Sequence, residues 1–354
     1  MPDAAIARRV SLEAARGFIR AAFVNVGLPI EDATAVAALM AEADAQGSDG
    51  HGILRLPQYV RRIRAGGVNV KPDIRVVEER AAMALVDGDN GMGHLVMRRA
   101  AEIAIAKAKT AGVAWVGTRR SNHAGPASLY ARMALEHDMV GLYLAVGNAN
   151  HLPPWGGLDM LLSTNPIAIA VPTLEEPPVV LDMATTVAAY GKVKTYAQRG
   201  LAMPEGWMMD RDGKPITDPK RADEGFLLPI GGYKGYGLAL VFGLLAGTLN
   251  GAAMGKDVID FNADDAAPTN TGQAIVAIDP AAFGDVKEFK RRVDAVVRDL
   301  RASRRMPGVE RILMPGEQSH EKRALAAREG IALAPALLKA LDTVADDLGI
   351  ARLA

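Results

Sequence analysis

Apolar positions recur at helical spacing near both ends of the chain and gather into short runs through its middle. From Ser11 to Val26 they follow the period of an amphipathic helix, with Ser11 as N-cap and Gly27 as stop. Pro29 opens a second helix that runs to Gln46 and ends at Gly47. After a basic segment, Arg61–Lys71, the stretch Ile74–Val86 reads as extended. The glycine-rich run Asp87–His94 reads as a turn before an Ala-rich helix, Leu95–Thr110. Strands are expected at Val113–Gly117, Val140–Val146, Ile167–Val171, Val179–Leu181 and Ala274–Ile278. Helices are expected at Pro126–Glu136, Thr186–Arg199, Tyr233–Leu249, Val286–Ala302, His320–Arg328 and Pro335–Leu348. Leu201–Leu228 has mixed composition, with Asp212-Gly213 as a turn. Alternating helices and strands predict an α/β protein with a mixed or mostly parallel sheet. The helix-rich ends, residues 1–75 and 291–354, are expected to pack as one helical subdomain, leaving residues 76–290 as the sheet domain.

Composition narrows the partners. At 354 residues the chain exceeds what one compact core usually holds. Lys+Arg and Asp+Glu both number 41, so a net charge of zero gives no reason to expect nucleic acid or a membrane surface. With no cysteine, disulfides, thiolate metal sites and cysteine nucleophiles are excluded. Met1–Val10 mixes charges without an apolar core, and the longest apolar run, Tyr236–Leu249, is glycine-interrupted and too short to span a bilayer. A cytoplasmic protein is expected.

Five clusters offer chemistry. In Gly50-His51-Gly52-Ile53-Leu54-Arg55, a helix starting at the histidine would put His51 and Arg55 on one face. Arginine matches a carboxylate, histidine exchanges a proton near neutrality, and the glycines leave room for a ligand. The plainer alternative is a hydrogen-bonded turn histidine. Ser121-Asn122-His123-Ala124-Gly125-Pro126 follows a strand, where α/β folds place ligands, or else caps the next helix. Leu181-Asp182-Met183-Ala184-Thr185-Thr186 ends a strand in an acid and two hydroxyls, suited to an anion or to ordinary capping. Gly231-Gly232-Tyr233-Lys234-Gly235 combines close backbone approach with a cation, or simply enters an apolar helix. Pro315-Gly316-Glu317 begins a helix.

Neither a phosphate-binding Gly-Lys-Ser/Thr loop nor Gly-x-Gly-x-x-Gly occurs; Gly91-Met92-Gly93 comes nearest but is followed by Val96, so a Rossmann nucleotide site is not expected. His94, His137 and His320 read as structural, whereas His151, just before Pro153-Pro154-Trp155-Gly156-Gly157, stays open. A zinc site from His51, His123 and Asp182 lacks a closely spaced ligand pair, and no metal is assigned.

Taken in order, these clusters resemble the malate/L-lactate dehydrogenase family that lacks the Rossmann fold. The likeness extends from about Ala41 to Gly330 and also rests on Tyr59, Pro154-Trp155-Gly156-Gly157 and Thr164-Asn165-Pro166. It implies NAD- or NADP-dependent reduction of 2-oxo acids or cyclic imino acids, the reverse oxidation, a homodimer, and an unusual mixed-sheet nucleotide-binding domain. By that resemblance Asp182, Met183, Ala184, Thr185, Tyr233, Lys234, Gly316 and Glu317 contact the cofactor, with Asn148 as a further candidate. Arg55, Tyr59 and Thr164 are the substrate-binding candidates, and His51, His123 and Asp182 the catalytic ones. Relatives differ over which histidine gives the proton. His51 is preferred because Arg55 would hold the substrate carboxylate one helical turn away, with His123 polarising the carbonyl and Asp182 orienting a histidine or the cofactor. Gly50 stands where relatives usually carry serine or threonine, so the substrate itself is left open. The alternatives are a cyclic-imine reductase on the same site, a metal-dependent lyase or hydrolase, and a carboxylate-binding protein without turnover.

Overall fold

Helix α1 (Leu12–Asn25) starts where the Ser11 hydroxyl accepts the Ala14 N–H at 3.1 Å, and the chain turns at Gly27 with φ +102°. The computed structural model describes residues 8–353, so the first seven residues of the Met1–Val10 stretch lie outside the described residues. A short strand, β1 (Arg8–Val10), precedes α1, and α2 (Ile30–Ala45) and α3 (Leu56–Arg64) follow it. The sheet region begins with β2 (Arg75–Arg80), β3 (Met83–Gly91), α4 (Gly93–Ala111) and β4 (Val113–Ser121). It continues through α5 (Ser128–Ala131), β5 (Val140–Ala145), β6 (Ile167–Val171), β7 (Val179–Met183) and α6 (Tyr190–Arg199). Next come β8 (Met208–Asp210), β9 (Pro215–Ile216), β10 (Gly225–Leu227), α7 (Tyr233–Ala246) and β11 (Thr271–Ile278). The chain closes with α8 (Val286–Ala302), α9 (Glu317–Glu329), β12 (Ile331–Leu333) and α10 (Pro335–Leu348).

Seven strands form the central sheet in the order β2-β3-β4-β11-β5-β6-β7. Only β3 and β4 run parallel; every other neighbouring pair is antiparallel. Of the two sheets expected, mixed or mostly parallel, the structure has the mixed one, with chiefly antiparallel pairs, and it is not a doubly wound nucleotide fold. Alternate residues face opposite layers. Val116, Tyr143 and Ala145 join α4, whose Ala100, Ala101, Ala104 and Ala108 allow close approach, while Trp115, Leu142 and Leu144 pack toward α7. Phe18, Phe23, Met40, Tyr59 and Ile63 share a second core with Leu341, Val344 and Leu348 of α10, and β1 pairs with β12. Helix α8 makes its polar contacts on the sheet side: Asp294 accepts the Leu174 and Glu175 N–H groups at 3.1 and 2.9 Å, and Lys290 meets Asp138 at 2.6 Å. Within residues 291–302, grouped with the helical part from the sequence, Asp294 thus ties α8 to the loop between β6 and β7.

Two other expectations are corrected, and one stretch left without elements gains them. The Asp87–His94 turn is instead the end of β3 and the start of α4, with a register shift between Asp87 and Gly91 and positive φ at Asp89 and Asn90. The helix expected from Thr186 begins only at Tyr190, because Thr186 bridges to Pro229 and the Val187 N–H donates to Leu228 O at 2.8 Å. Leu201–Leu228 contains a small sheet, order β10-β8-β9, over a core with Val193, Met203, Trp207 and Leu227. Strands of two or three residues are too short to show an alternating pattern.

Candidate active site

The site starts at the turn after α2. Asp44, on the last turn of α2 and 9% exposed, accepts the Ile53 N–H at 2.8 Å. Its carboxylate occupies the space a Cβ at Gly52 would need, so only glycine fits there. Burial raises the Asp44 pKa to about 7, opposed by the Ile53 bond. His51 donates its N–H to Ser48 O at 2.8 Å and lies in this turn, ahead of a 3-10 turn over Ile53–Arg55. The helical pairing of His51 with Arg55 is therefore corrected: turn geometry brings them close. Arg55 Nε donates to Gly50 O and Nη1 to Gln58 Oε1, both at 2.8 Å. Nη2 has no hydrogen-bond partner among the described residues, which leaves that end of the guanidinium for a ligand. A Cβ on Gly50 would meet nothing within 4 Å, so the backbone does not require glycine there; the residue leaves space.

Three rings stack beside this turn. His51 lies 5.2 Å from His123 at 13°, and His123 lies 5.3 Å from Phe261 at 11°. Phe261 is fixed by its N–H to Asn148 O at 3.0 Å and by its own carbonyl, which accepts Arg62 Nη1 at 3.2 Å. The Arg55 and Arg62 guanidinium carbons lie 5.8 and 5.3 Å from the Phe261 ring centre. Arg62, 1% exposed, also donates to the Asp264 and Ala267 carbonyls and so clamps the 261–267 loop onto α3.

His123 Nδ1 meets the Tyr59 hydroxyl at 2.5 Å and the Gly125 N–H at 3.4 Å. An amide can only donate, so Nδ1 holds the lone pair, the Tyr59 hydroxyl donates, and the neutral ring carries its proton on Nε2. Beneath Tyr59 lies His94, 5.8 Å away, edge-on at 87° and fully enclosed, with neither ring nitrogen partnered. His51 Nδ1 is likewise buried without a partner, leaving Nε2 to meet a ligand.

Burial, with the Arg55 charge adding to it, lowers the His51 pKa to about 4. Burial and the neighbouring charges hold His123 well below the usual histidine value. Burial and His51 lower His94 to about 3. A pKa lowered to about 4 favours the neutral ring near pH 7 in the free protein, so a proton that His51 delivers has to be taken up as the ligand binds.

The other candidates gather at a second place. Edge strand β7 carries Asp182, which is exposed and accepts the Ser128 N–H at 2.9 Å. Among the described residues Asp182 makes no hydrogen bond to a histidine, and no three His, Cys, Asp or Glu side chains are placed to share a metal ion. Past Met183 and Ala184, Thr185 donates both its N–H and its hydroxyl to Thr164 O at 2.9 Å, and its own carbonyl accepts the Ile230 N–H at 3.0 Å. Thr186 bridges to Pro229, just before Gly231 and Gly232, whose positive φ leads to exposed Tyr233 and Lys234 at the start of α7. Farther along β7, the Val180 N–H donates to Pro315 O at 2.9 Å, which sets the Gly316–Glu317 turn against the strand. Glu317 accepts the Met314 N–H at 2.9 Å and pairs with Arg301 at 3.1 Å. Residues 180–186, 229–234 and 315–317 thus form one connected rim.

Asn148 behaves differently: its side chain donates to Thr271 Oγ1 at 2.7 Å and its carbonyl anchors Phe261. The sequence reading missed Asp44, Arg62 and Phe261 and took His94 as purely structural. Arg62 follows Tyr59 by three residues, which places it on the buried face of α3. Phe261 is the lone aromatic in the polar stretch 257–271.

A sequence model of malate/L-lactate dehydrogenases matches residues 10–342. The L-sulfolactate dehydrogenase of Methanocaldococcus jannaschii is 40% identical over 324 residues, covering 92% of each chain. Its solved structure superposes with a TM-score of 0.90 at 38% identity, covering 97% of this chain and 98% of that one. The malate dehydrogenase of Pyrococcus horikoshii is 37% identical, over 97% of this chain and 96% of its own length. The Δ1-pyrroline-2-carboxylate/Δ1-piperideine-2-carboxylate reductase of Pseudomonas putida is 33% identical, over 96% and 98%. The chain belongs to the malate/L-lactate dehydrogenase family and is an oxidoreductase.

Proposed function

We propose that this enzyme interconverts a small 2-oxo acid and its 2-hydroxy acid with NAD or NADP. The observation that carries this reading is the stacked His51–His123 pair beside an arginine with a free donor end. The rim fits a dinucleotide: Gly231 and Gly232 turn with positive φ, Tyr233 and Lys234 stand exposed, and Thr185 is anchored to Thr164 and Ile230. Bound there, the cofactor supplies or accepts the hydride. Asp182, Met183, Ala184, Thr185, Tyr233, Lys234, Gly316 and Glu317 are the holding residues we assign, and Thr164 and Asn148 act by fixing Thr185 and Phe261. Arg55 binds the substrate carboxylate through Nη2 and orients the carbonyl. His123 donates a hydrogen bond to the carbonyl oxygen from its Nε2–H, held by Tyr59. His51 delivers the proton through Nε2 once the carboxylate has offset the Arg55 charge. Asp182, away from both histidines, is given a cofactor-orienting role.

The same residues suit a cyclic imine, with hydride going to the C=N carbon and the proton to nitrogen; the family's reductase member favours keeping this second reading. We further infer a homodimer working in the cytoplasm. Exposed Leu238, Val241 and Leu244 on α7 support a second copy covering that apolar helix. Light scattering should give twice the 37.4 kDa chain mass, and a monomer would reject the dimer.

The reaction is tested by following NADH and NADPH absorbance against 2-oxo acids and the two cyclic imines. Turnover with an oxo acid supports the first reading, and turnover confined to an imine selects the second. No turnover in either direction, from a protein that still binds the carboxylate, overturns both.

A further inference from the structure

A guanidinium grips a carboxylate well only when its plane is fixed, so what holds Arg55 decides where the substrate sits. Three neighbours hold it. Nε donates to Gly50 O and Nη1 to the Gln58 side-chain oxygen, both at 2.8 Å, and the Phe261 ring centre lies 5.8 Å from the guanidinium carbon. Gly50 contributes only backbone and Phe261 only a ring face. Gln58 is the side chain that meets the donor end of Arg55.

Gln58 is the third residue of α3, where a glutamine commonly turns its oxygen back to the backbone N–H of the N-cap residue. Here that N–H belongs to Arg55 and donates to Gly52 O at 2.9 Å. The Gln58 oxygen is left for the Arg55 side chain instead. The orientation of the amide follows. A guanidinium can only donate, so Oε1 faces Arg55, and Nε2 faces the Phe261 carbonyl and Asn262 Oδ1, each at 3.4 Å. Glutamate at this position would turn an oxygen toward the Phe261 carbonyl and bring a second carboxylate to Arg55. An aliphatic side chain would meet neither partner. Phe261 in turn stacks on His123 at 5.3 Å, so one chain of contacts runs from Arg55 through Gln58 and Phe261 to His123. We infer that Gln58 is a positioning residue: it sets the free end of Arg55 at a fixed place relative to His123, and so places a carboxylate beside the carbonyl that His123 meets. The inference rests on the carboxylate-binding role given to Arg55 above and adds a residue that acts through it.

Oxamate, an unreactive carboxylate beside a carbonyl, is titrated calorimetrically into the full chain with NADH and NADPH present. Gln58→Met should weaken oxamate about tenfold, the scale of one hydrogen bond to a charged group. An ammonium is a point charge with no plane to fix. In an Arg55→Lys background Gln58→Met should therefore change oxamate affinity by less than about twofold. Gln58→Glu keeps the parent's size, which guards against a loss caused by misfolding, and its carboxylate competes for Arg55, so oxamate should again weaken about tenfold or more. The melting temperature of each variant checks its fold. Unchanged oxamate affinity in Gln58→Met and Gln58→Glu, or an equal loss in the arginine and lysine backgrounds, would overturn the inference while leaving Arg55 as the carboxylate ligand. No oxamate binding by the unsubstituted chain, or binding untouched by Arg55→Met, would overturn that role and the inference together.

Discussion

His123 is fixed by Tyr59 at one ring nitrogen and by stacking on both faces, whereas His51 has a buried nitrogen with no partner. That asymmetry separates their roles. His51→Ala should lower kcat by about 10²- to 10⁴-fold, the usual worth of a positioned acid or base. Tyr59→Phe should act through His123 and flatten the pH profile without comparable loss of carboxylate binding. If His51→Ala turns over normally and His123→Ala does not, the assignment is reversed. The charge balance gives a second expectation. The His51 pKa is about 4, held down by burial and then by Arg55. A carboxylate bound at Arg55 removes that repulsion and raises it, so ligand binding should take up protons. Calorimetry of an unreactive oxo-acid analogue in two buffers of different ionisation enthalpy measures the uptake; none at all would leave His51 neutral throughout. Gly50→Ser should fold normally, since its Cβ has open space. It should also shift substrate preference, which a kcat/KM panel reads.

Helix α3 carries the site and also holds it together, because Arg55, Tyr59 and Arg62 project from it and its first turn. Replacing Arg62 by Met would strand the Phe261, Asp264 and Ala267 carbonyls. Leaving a buried acceptor without its donor costs on the order of 1–3 kcal/mol. Urea unfolding should show that loss, and hydrogen exchange should rise across residues 261–267; a loss of stability with the loop unchanged would contradict the clamp. At this scale the sequence was readable where one local signal decides. Ser11, Pro29 and Pro335 marked helix starts that the structure keeps, and α8 runs over the same residues as expected. It was unreadable where partners far along the chain decide. Thr186 looks like a helix start until Pro229 claims it, and the Asp87–Gly91 glycines look like a turn until β4 pairs with them. The site divides the same way. His51, Arg55 and His123 stood out as motifs, but Arg62 meets Phe261 across 199 residues, and Asp44 acts through the Ile53 N–H and the space left at Gly52.

Over the whole molecule, packing three neutral imidazoles into one interior ties stability to pH. Each folded-state pKa lies below the usual 6.5: His51 at about 4, His94 at about 3, and His123 well below it. A depressed histidine binds fewer protons folded than unfolded, so its contribution is present above 6.5 and is lost as the pH falls toward the folded value. Asp44 has the opposite sign. Raised from 3.8 to about 7, it favours the folded state below 3.8, an advantage lost as the pH rises through 7. Desolvation also lowers His151 and raises Asp182 and Asp32, so four histidines oppose three carboxyls in the shared window, and the melting temperature should fall between pH 6.5 and 4. His94 isolates the effect. Both its nitrogens are buried and unpartnered, so the ring contributes packing against Tyr59 and no hydrogen bond. His94→Phe keeps an aromatic edge there and removes two unsatisfied polar atoms, a change that is neutral to stabilising when shape is kept. The variant should melt at or above the parent temperature at pH 7 and lose less on acidification to pH 4. A variant that is less stable at pH 7 yet has the parent's acid slope would show that His94 holds a partner, such as an ordered water, and is not a buried titrating group.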